Sequence, residues 1–228
     1  MTLPTLNTIV TDLLLIARGS KLAASEKISK RQIEAWVHQY RSLLIRQNIS
    51  GGDNVNPDYV QTISSIELLP VDVAGSSTSV STDSNIYRTS SKLPKTVNLR
   101  NMSGITYVGT LNKKRIQLVP GHRVEYQLFK KFTPKDMLAY LEDGYLYVVN
   151  PYGVRYVTIR GIFENPVEAA LYSNTTMSPE DFDTNSQYPI PTHMLPALKQ
   201  LILERELGIE SVTPSDNKND SQHKINNE

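Results

Sequence analysis

The run Asn48-Ile49-Ser50-Gly51-Gly52-Asp53 divides the chain into two kinds of hydrophobic pattern. Before it, apolar residues recur at helical spacing; after it, β-branched and apolar residues alternate as they do along strands. A chain that gathers its helices and strands into separate runs is expected to be α+β, not a doubly wound α/β sheet, and no internal repeat of fixed period suggests a solenoid.

Upstream of the break, Leu6, Ile9, Val10, Leu13, Leu14 and Ala17 mark one face of a first helix, with Gly19 as its stop. Ser29 stands three residues before Gln32, the spacing of a capping box, and Ile33, Trp36, Val37, Tyr40, Leu43 and Leu44 mark the inner face of a second helix. Seven basic and two acidic residues between Arg18 and Arg46 give this hairpin a positive outer surface. Such a surface suits a solvated helix face or a contact with nucleic acid.

Downstream, a strand is expected over 59–68, then a Ser/Thr-rich surface loop at 74–92 whose small residues suit an arm more than a core. Further strands are expected over 96–99, 105–111, 115–119 and 123–128, with turns at Asn112-Lys113 and Pro120-Gly121. Asp143-Gly144 can take the two positive φ angles of a tight hairpin between 138–142 and 145–149. Asn150-Pro151-Tyr152-Gly153 makes another turn before a strand over 154–163; Pro166 opens a short helix, and a last helix covers about 192–207 before Gly208. The expected organisation is therefore an N-terminal helical hairpin (1–50), an antiparallel β-rich body (51–190), a C-terminal helix (191–208) and a tail (209–228). From Ser211 to Glu228 only Val212 and Ile225 are aliphatic, so the tail is expected to be disordered on its own.

Chemistry is sparse. The absence of cysteine removes disulfides, thiolate nucleophiles and cysteine-ligated metals, and His38, His122, His193 and His223 lie far apart with no metal-ligand spacing. There is no GxSxG elbow, Walker loop or GxGxxG turn. Glu142-Asp143 and Glu180-Asp181-Asp183 fall in turn contexts that account for them without catalysis or calcium. The chain is accordingly expected not to be an enzyme and to need no cofactor. With 24 basic against 23 acidic residues it has no global field for polyanions. Local basic residues remain: Lys113, Lys114, Arg115 and Arg123 are candidates for contact with DNA or with another subunit. Twelve tyrosines, several between Tyr140 and Tyr156, suit both core packing and interfaces. No segment approaches the roughly 20 apolar residues that span a bilayer, and Met1-Thr2-Leu3-Pro4 lacks the basic start of a signal peptide, so no membrane partner is expected.

Residues 9–18, Ile28-Ser29-Lys30-Arg31-Gln32-Ile33-Glu34-Ala35-Trp36-Val37 and Tyr40-Arg41-Ser42-Leu43-Leu44 resemble virion proteins of crAss-like short-tailed bacteriophages. Ile159-Arg160-Gly161-Ile162-Phe163-Glu164-Asn165-Pro166 and the helix over 194–207 resemble the same group, specifically the ring or adaptor proteins that join the portal to the tail. The resemblance implies a structural virion protein, made in the host cytoplasm, that assembles as a closed ring of twelve copies. Its partners would be the portal protein and adjoining tail or ring proteins, with DNA only as passing cargo through the ring. It also implies that the terminal extension grips the portal or adjoining ring, which singles out Ile209, Val212 and Ile225. The alternative reading is a cytoplasmic nucleic-acid-binding module.

Overall fold

A computed structural model describes residues 4–19, 29–50, 55–71, 85–99, 103–126, 132, 136–172 and 183–208. Helix α1 (Leu6–Gly19) buries Leu6, Ile9, Val10, Leu13 and Ala17, the stripe that its spacing predicts. It starts at Thr5, whose hydroxyl accepts from the Thr8 amide at 3.2 Å and so satisfies one orphan donor of the first turn. Helix α2 (Lys30–Ser50) is capped by Ser29, whose Oγ accepts the Gln32 amide at 3.1 Å. Its buried face is Ile33, Val37, Tyr40, Arg41, Leu44 and Ile45, with Trp36 and Leu43 only partly covered at the edge.

After a short 3-10 turn at Pro57–Tyr59 the chain enters a closed seven-stranded barrel. Its strands are β1 (Gln61–Pro70), β2 (Ile86–Thr89), β3 (Ile105–Thr110), β4 (Arg115–Leu118), β5 (Leu138–Glu142), β6 (Tyr145–Val149) and β7 (Tyr156–Gly161). Around the barrel the order is β1-β2-β6-β5-β4-β3-β7, which leaves no edge between these strands. All pairs are antiparallel except β4 with β5, where Gln117 meets Leu138 and Leu118 meets Ala139 in parallel. That departs from the fully antiparallel body expected. The reason is the connection: β4 and β5 are joined by a long crossover instead of a hairpin, and a crossover brings the chain back in the same direction. The β5–β6 hairpin agrees with expectation, with Asp143 at φ 50° and Gly144 at φ 83°. In β1 a bulge between Ile63 and Ile66, with Ser65 at φ 58°, breaks the period-2 alternation. It turns both isoleucines inward although they are three residues apart.

Three further expectations need correction. Part of the loop placed at 74–92 is strand: Ile86–Thr89 pairs with β1 on one side and β6 on the other. Those four residues gain two neighbours' hydrogen bonds, and the buried Thr89 hydroxyl donates to the Ser91 carbonyl and accepts from the Leu146 amide, contacts that no local pattern announces. Where a strand was expected from 123, the chain makes a short helix, α3 (Gly121–Val124), because Pro120 in an extended conformation starts a turn and its carbonyl accepts the Arg123 amide. Residues 96–99 contribute a single bridge, Thr96 to Phe163, instead of a strand. The remainder of the loop at 74–84 and the tail at 209–228 lie outside the described residues.

Helix α4 (Pro166–Tyr172) follows β7 and is capped by Asn165, whose Oδ1 accepts the Val167 amide at 3.0 Å. The chain returns through residues 183–191, a 3-10 turn at Thr192–Met194 and α5 (Leu195–Arg205), which packs on α1 and α2. Two cores result. One lies between the helices, and the other fills the barrel. They meet where β7 runs out: Ile162 packs among the helices while the adjacent Phe163 packs in the barrel.

Candidate interaction surfaces

The basic residues singled out in the sequence fall into two places. Lys113 and Lys114 form the tight β3–β4 turn, held by the Lys113 amide donating to Thr110 O (2.9 Å) and the Thr110 amide donating to Lys114 O (2.9 Å). Lys113 has φ 61°, and its carbonyl accepts the Tyr107 hydroxyl at 3.1 Å. Arg115 opens β4 beside this turn, exposed like the two lysines. Arg123 sits on α3, beyond the far end of β4, and does not join them.

The barrel brings other residues to the β3–β4 turn instead. Thr110 pairs with Val157, Glu67 with Tyr156, and the Leu68 amide donates to Arg155 O, so the β6–β7 turn stands alongside. Tyr152, at φ 42° on that turn, is 61% exposed, Tyr156 is 42% exposed and Leu111 is 53% exposed. One end of the barrel thus carries Lys113, Lys114 and Arg155 among exposed apolar and tyrosine surface, and none of these three cations has an ion pair among the described residues. Such a rim can meet phosphates or an acidic protein surface. The tyrosines divide between the two roles open to them. Tyr140 and Tyr147 stack across strands at 5.0 Å, Tyr59 and Tyr188 are buried, and Tyr152 and Tyr156 face outward.

A second surface runs along α2. Arg31, His38, Ser42 and Arg46 lie on one stripe of the helix and line a groove of about 920 Å³, whose other wall includes Asn98 and Arg205. The Glu34 and Glu164 carboxylates in this groove face Lys30 at 4.0 Å and Lys95 at 3.1 Å. Arg31 and Arg46 have no ion pair among the described residues. His38 Nδ1 and the Tyr188 hydroxyl are 2.7 Å apart, and burial, reinforced by nearby Arg41, lowers the imidazole pKa to about 4. It is neutral at physiological pH, so the positive potential of the groove comes from its arginines.

Beneath this groove is the feature that the sequence reading misplaced. Arg41, counted there among the positive outer residues, is completely buried. Its Nε donates to Pro189 O at 2.8 Å, and its terminal nitrogens donate to Phe163 O at 2.9 Å and Tyr59 O at 3.4 Å, while its guanidinium lies 5.7 Å from the Tyr188 ring centroid. Desolvation pushes its pKa below the ordinary arginine value, and the Tyr188 and Tyr59 hydroxyls act in the opposite sense. No carboxylate is involved in these bonds. One side chain thereby ties α2 to the end of β7, the 3-10 turn before β1 and the segment before α5. The signal was present in the spacing: Arg41 lies four residues after Val37 and four before Ile45, inside the apolar stripe.

Among the described residues the acidic groups show no convergent geometry. Asp143 is the hairpin turn, and Asp183 accepts the Asn185 amide at 2.9 Å in an Asx turn; Glu180 and Asp181 lie outside the described residues. Among the described residues no group of three His, Cys, Asp or Glu could hold a metal ion, and no helix is long and apolar enough to cross a membrane. Ile209, Val212 and Ile225 lie outside the described residues.

A family model described as phage tail ring protein 2, of the crAss-like phages, matches residues 8–228. No curated protein matches the chain. The family match runs through the helical layer and the barrel alike, and the chain belongs to the phage tail ring protein 2 family.

Proposed function

We propose that this member of the phage tail ring protein 2 family is a ring subunit of the connector between portal and tail in a short-tailed phage, assembled around the channel through which DNA leaves the head. The single observation that carries the reading is the family match over 8–228. Twelve copies close the ring, and the portal and adjoining tail or ring proteins are its neighbours. The protein is made in the host cytoplasm and resides in the virion. Its work is assembly, with no chemical step.

The geometry supports this reading. A closed ring needs heterologous contacts, in which one face of a subunit meets a different face of the next. The basic, tyrosine-bearing barrel rim and the arginine-lined groove on α2 are two distinct surfaces whose Lys113, Lys114, Arg155, Arg31 and Arg46 have no ion pair among the described residues. We take residues 1–50 and 191–208 as the helical layer that holds the barrel of 51–190, with 209–228 as an appendage that reaches a neighbour, Ile209, Val212 and Ile225 being its apolar contacts with the portal or an adjoining ring.

The basic rim also favours a second reading, a nucleic-acid-binding module working through Lys113, Lys114 and Arg115. Electron microscopy of the purified protein together with cosedimentation on the portal separates the two. Rings that form without DNA and bind portal support the connector. A monomer that binds DNA with a steep salt dependence, and does not bind portal, supports the alternative.

A further inference from the structure

Arg31 and Arg46 in the α2 groove have no ion pair among the described residues, and the described chain ends beside the groove. Arg31 and Arg46 lie fifteen residues apart on one helix stripe, which sets them about 22 Å apart along the axis. An extended peptide covers that distance with about seven residues. Gln39 and Asn98 stand exposed on the groove walls with amide groups able to bond a peptide backbone, and the partly covered Leu43 and Val167 add apolar surface.

The segment that follows Gly208 has matching chemistry. Over 209–228 it carries Glu210, Asp216, Asp220 and Glu228 against Lys218 and Lys224, and it begins with the apolar Ile209 and Val212. The Tyr40 hydroxyl donates to Glu206 at 2.6 Å, and Asn48 donates to Met194 Sδ at 3.5 Å, so α5 runs antiparallel to α2. The chain therefore leaves α5 travelling toward the Arg31 end of its own groove, with the Arg46 end behind it. Its starting point beside Tyr40 lies between the two arginines, nine residues from Arg31 and six from Arg46, so one extended pass from there meets only Arg31 of its own groove, whereas a neighbour's segment can span both. In a ring every copy presents the same groove to the same neighbour, so one geometry repeats and closes.

We propose that the segment after Gly208 of one subunit lies in the α2 groove of the next copy, its carboxylates paired with Arg31 and Arg46. This rests on the ring reading above. Twenty extended residues reach about 66 Å, so a stretch of about seven in the groove leaves Ile225 free to reach the portal or adjoining ring. The groove thus supplies the acceptor half of a heterologous contact, and the segment supplies the donor half.

The chain has no cysteine, so introduced pairs report without background. Full-length Gln39→Cys and full-length Ser215→Cys are mixed, assembled and mildly oxidised. A covalent dimer is the expected product, and the double variant alone should give a ladder of linked oligomers. Adding Arg31→Glu and Arg46→Glu to the groove partner should lower the cross-linked fraction at least tenfold, while Arg31→Lys with Arg46→Lys should keep most of it. An intramolecular link in the double variant with no mixed dimer would place the segment on its own subunit and overturn the proposal. Rings that form with no link would overturn it too while leaving the ring reading intact; failure to form rings at all would remove both.

Discussion

Replacing Arg41 is the most informative single perturbation of the fold. Its guanidinium makes two short bonds, to Pro189 O at 2.8 Å and Phe163 O at 2.9 Å, and a longer one to Tyr59 O at 3.4 Å that contributes little. Arg41→Met keeps most of the aliphatic stem and its packing but leaves the two close carbonyls without this donor. At about 1–2 kcal/mol for each carbonyl, the substitution should cost about 2–4 kcal/mol. The removal of a desolvated charge offsets part of the gross loss, which is why the lower end of the per-group range is used. Against a total stability of about 5–15 kcal/mol this is large, and for a chain of this size it corresponds to a melting temperature about 5–15 °C lower. Arg41→Lys should fall in the same range, because an ammonium on a single stem cannot reach carbonyls contributed by three separate segments. Urea titration followed by circular dichroism, with the slope checked for constancy, measures the change. If Arg41→Met were as stable as the parent or more so, the three bonds would only balance the cost of burying the charge, and the account of Arg41 as the tie between the two layers would fail.

Three other outcomes follow from the same packing and hydrogen bonding. The depressed pKa of His38 means that the unfolded chain, titrating near 6.5, binds more protons than the folded one; stability should be full above pH 6.5 and fall as the pH drops toward 4, a dependence that His38→Gln should flatten in melts across that window. A methyl group on Gly104 would meet Val97 O at 2.7 Å and Thr96 Cβ at 2.8 Å, whereas the three atoms nearest one on Gly109 all belong to the exposed end of the Tyr107 side chain, so denaturant melts should show Gly104→Ala losing about 1–3 kcal/mol and Gly109→Ala clearly less. Trp36 lies at the edge of the helical core and is only partly buried, so Trp36→Ala should cost about 1–2 kcal/mol in the same assay, short of the value for a fully buried tryptophan.

The sequence carried the fold wherever one local rule decided the outcome. Ser29 before Gln32, the apolar stripe of α1 and the Asp143-Gly144 turn all appear where their patterns placed them. It failed where pairing partners decide. Strand β2 is held by β1 and β6, and the parallel β4–β5 pair depends on where a crossover returns, neither of which can be read from a window of a few residues. The candidate surfaces were legible in part. Lys113, Lys114 and Arg115 were visible as a run, but Arg155, Tyr152 and Tyr156 join that rim only through the register of β7 with β1 and β3. Arg41 was visible as a cation and misread as exposed, because charge suggested the surface while its spacing placed it in the stripe. No periodicity announces the groove along α2, since its opposite wall is assembled from Asn98, the segment around Glu164 to Val167 and Arg205 of α5.

The central claim is a place in the virion, and a reconstruction of the purified phage particle at the junction of head and tail tests it most directly. The account predicts a closed ring of copies of this fold, a seven-stranded barrel beside three packed helices, lying between portal and tail and surrounding the channel. Density at that level occupied by other proteins, with this chain elsewhere in the particle or missing from it, would contradict the account.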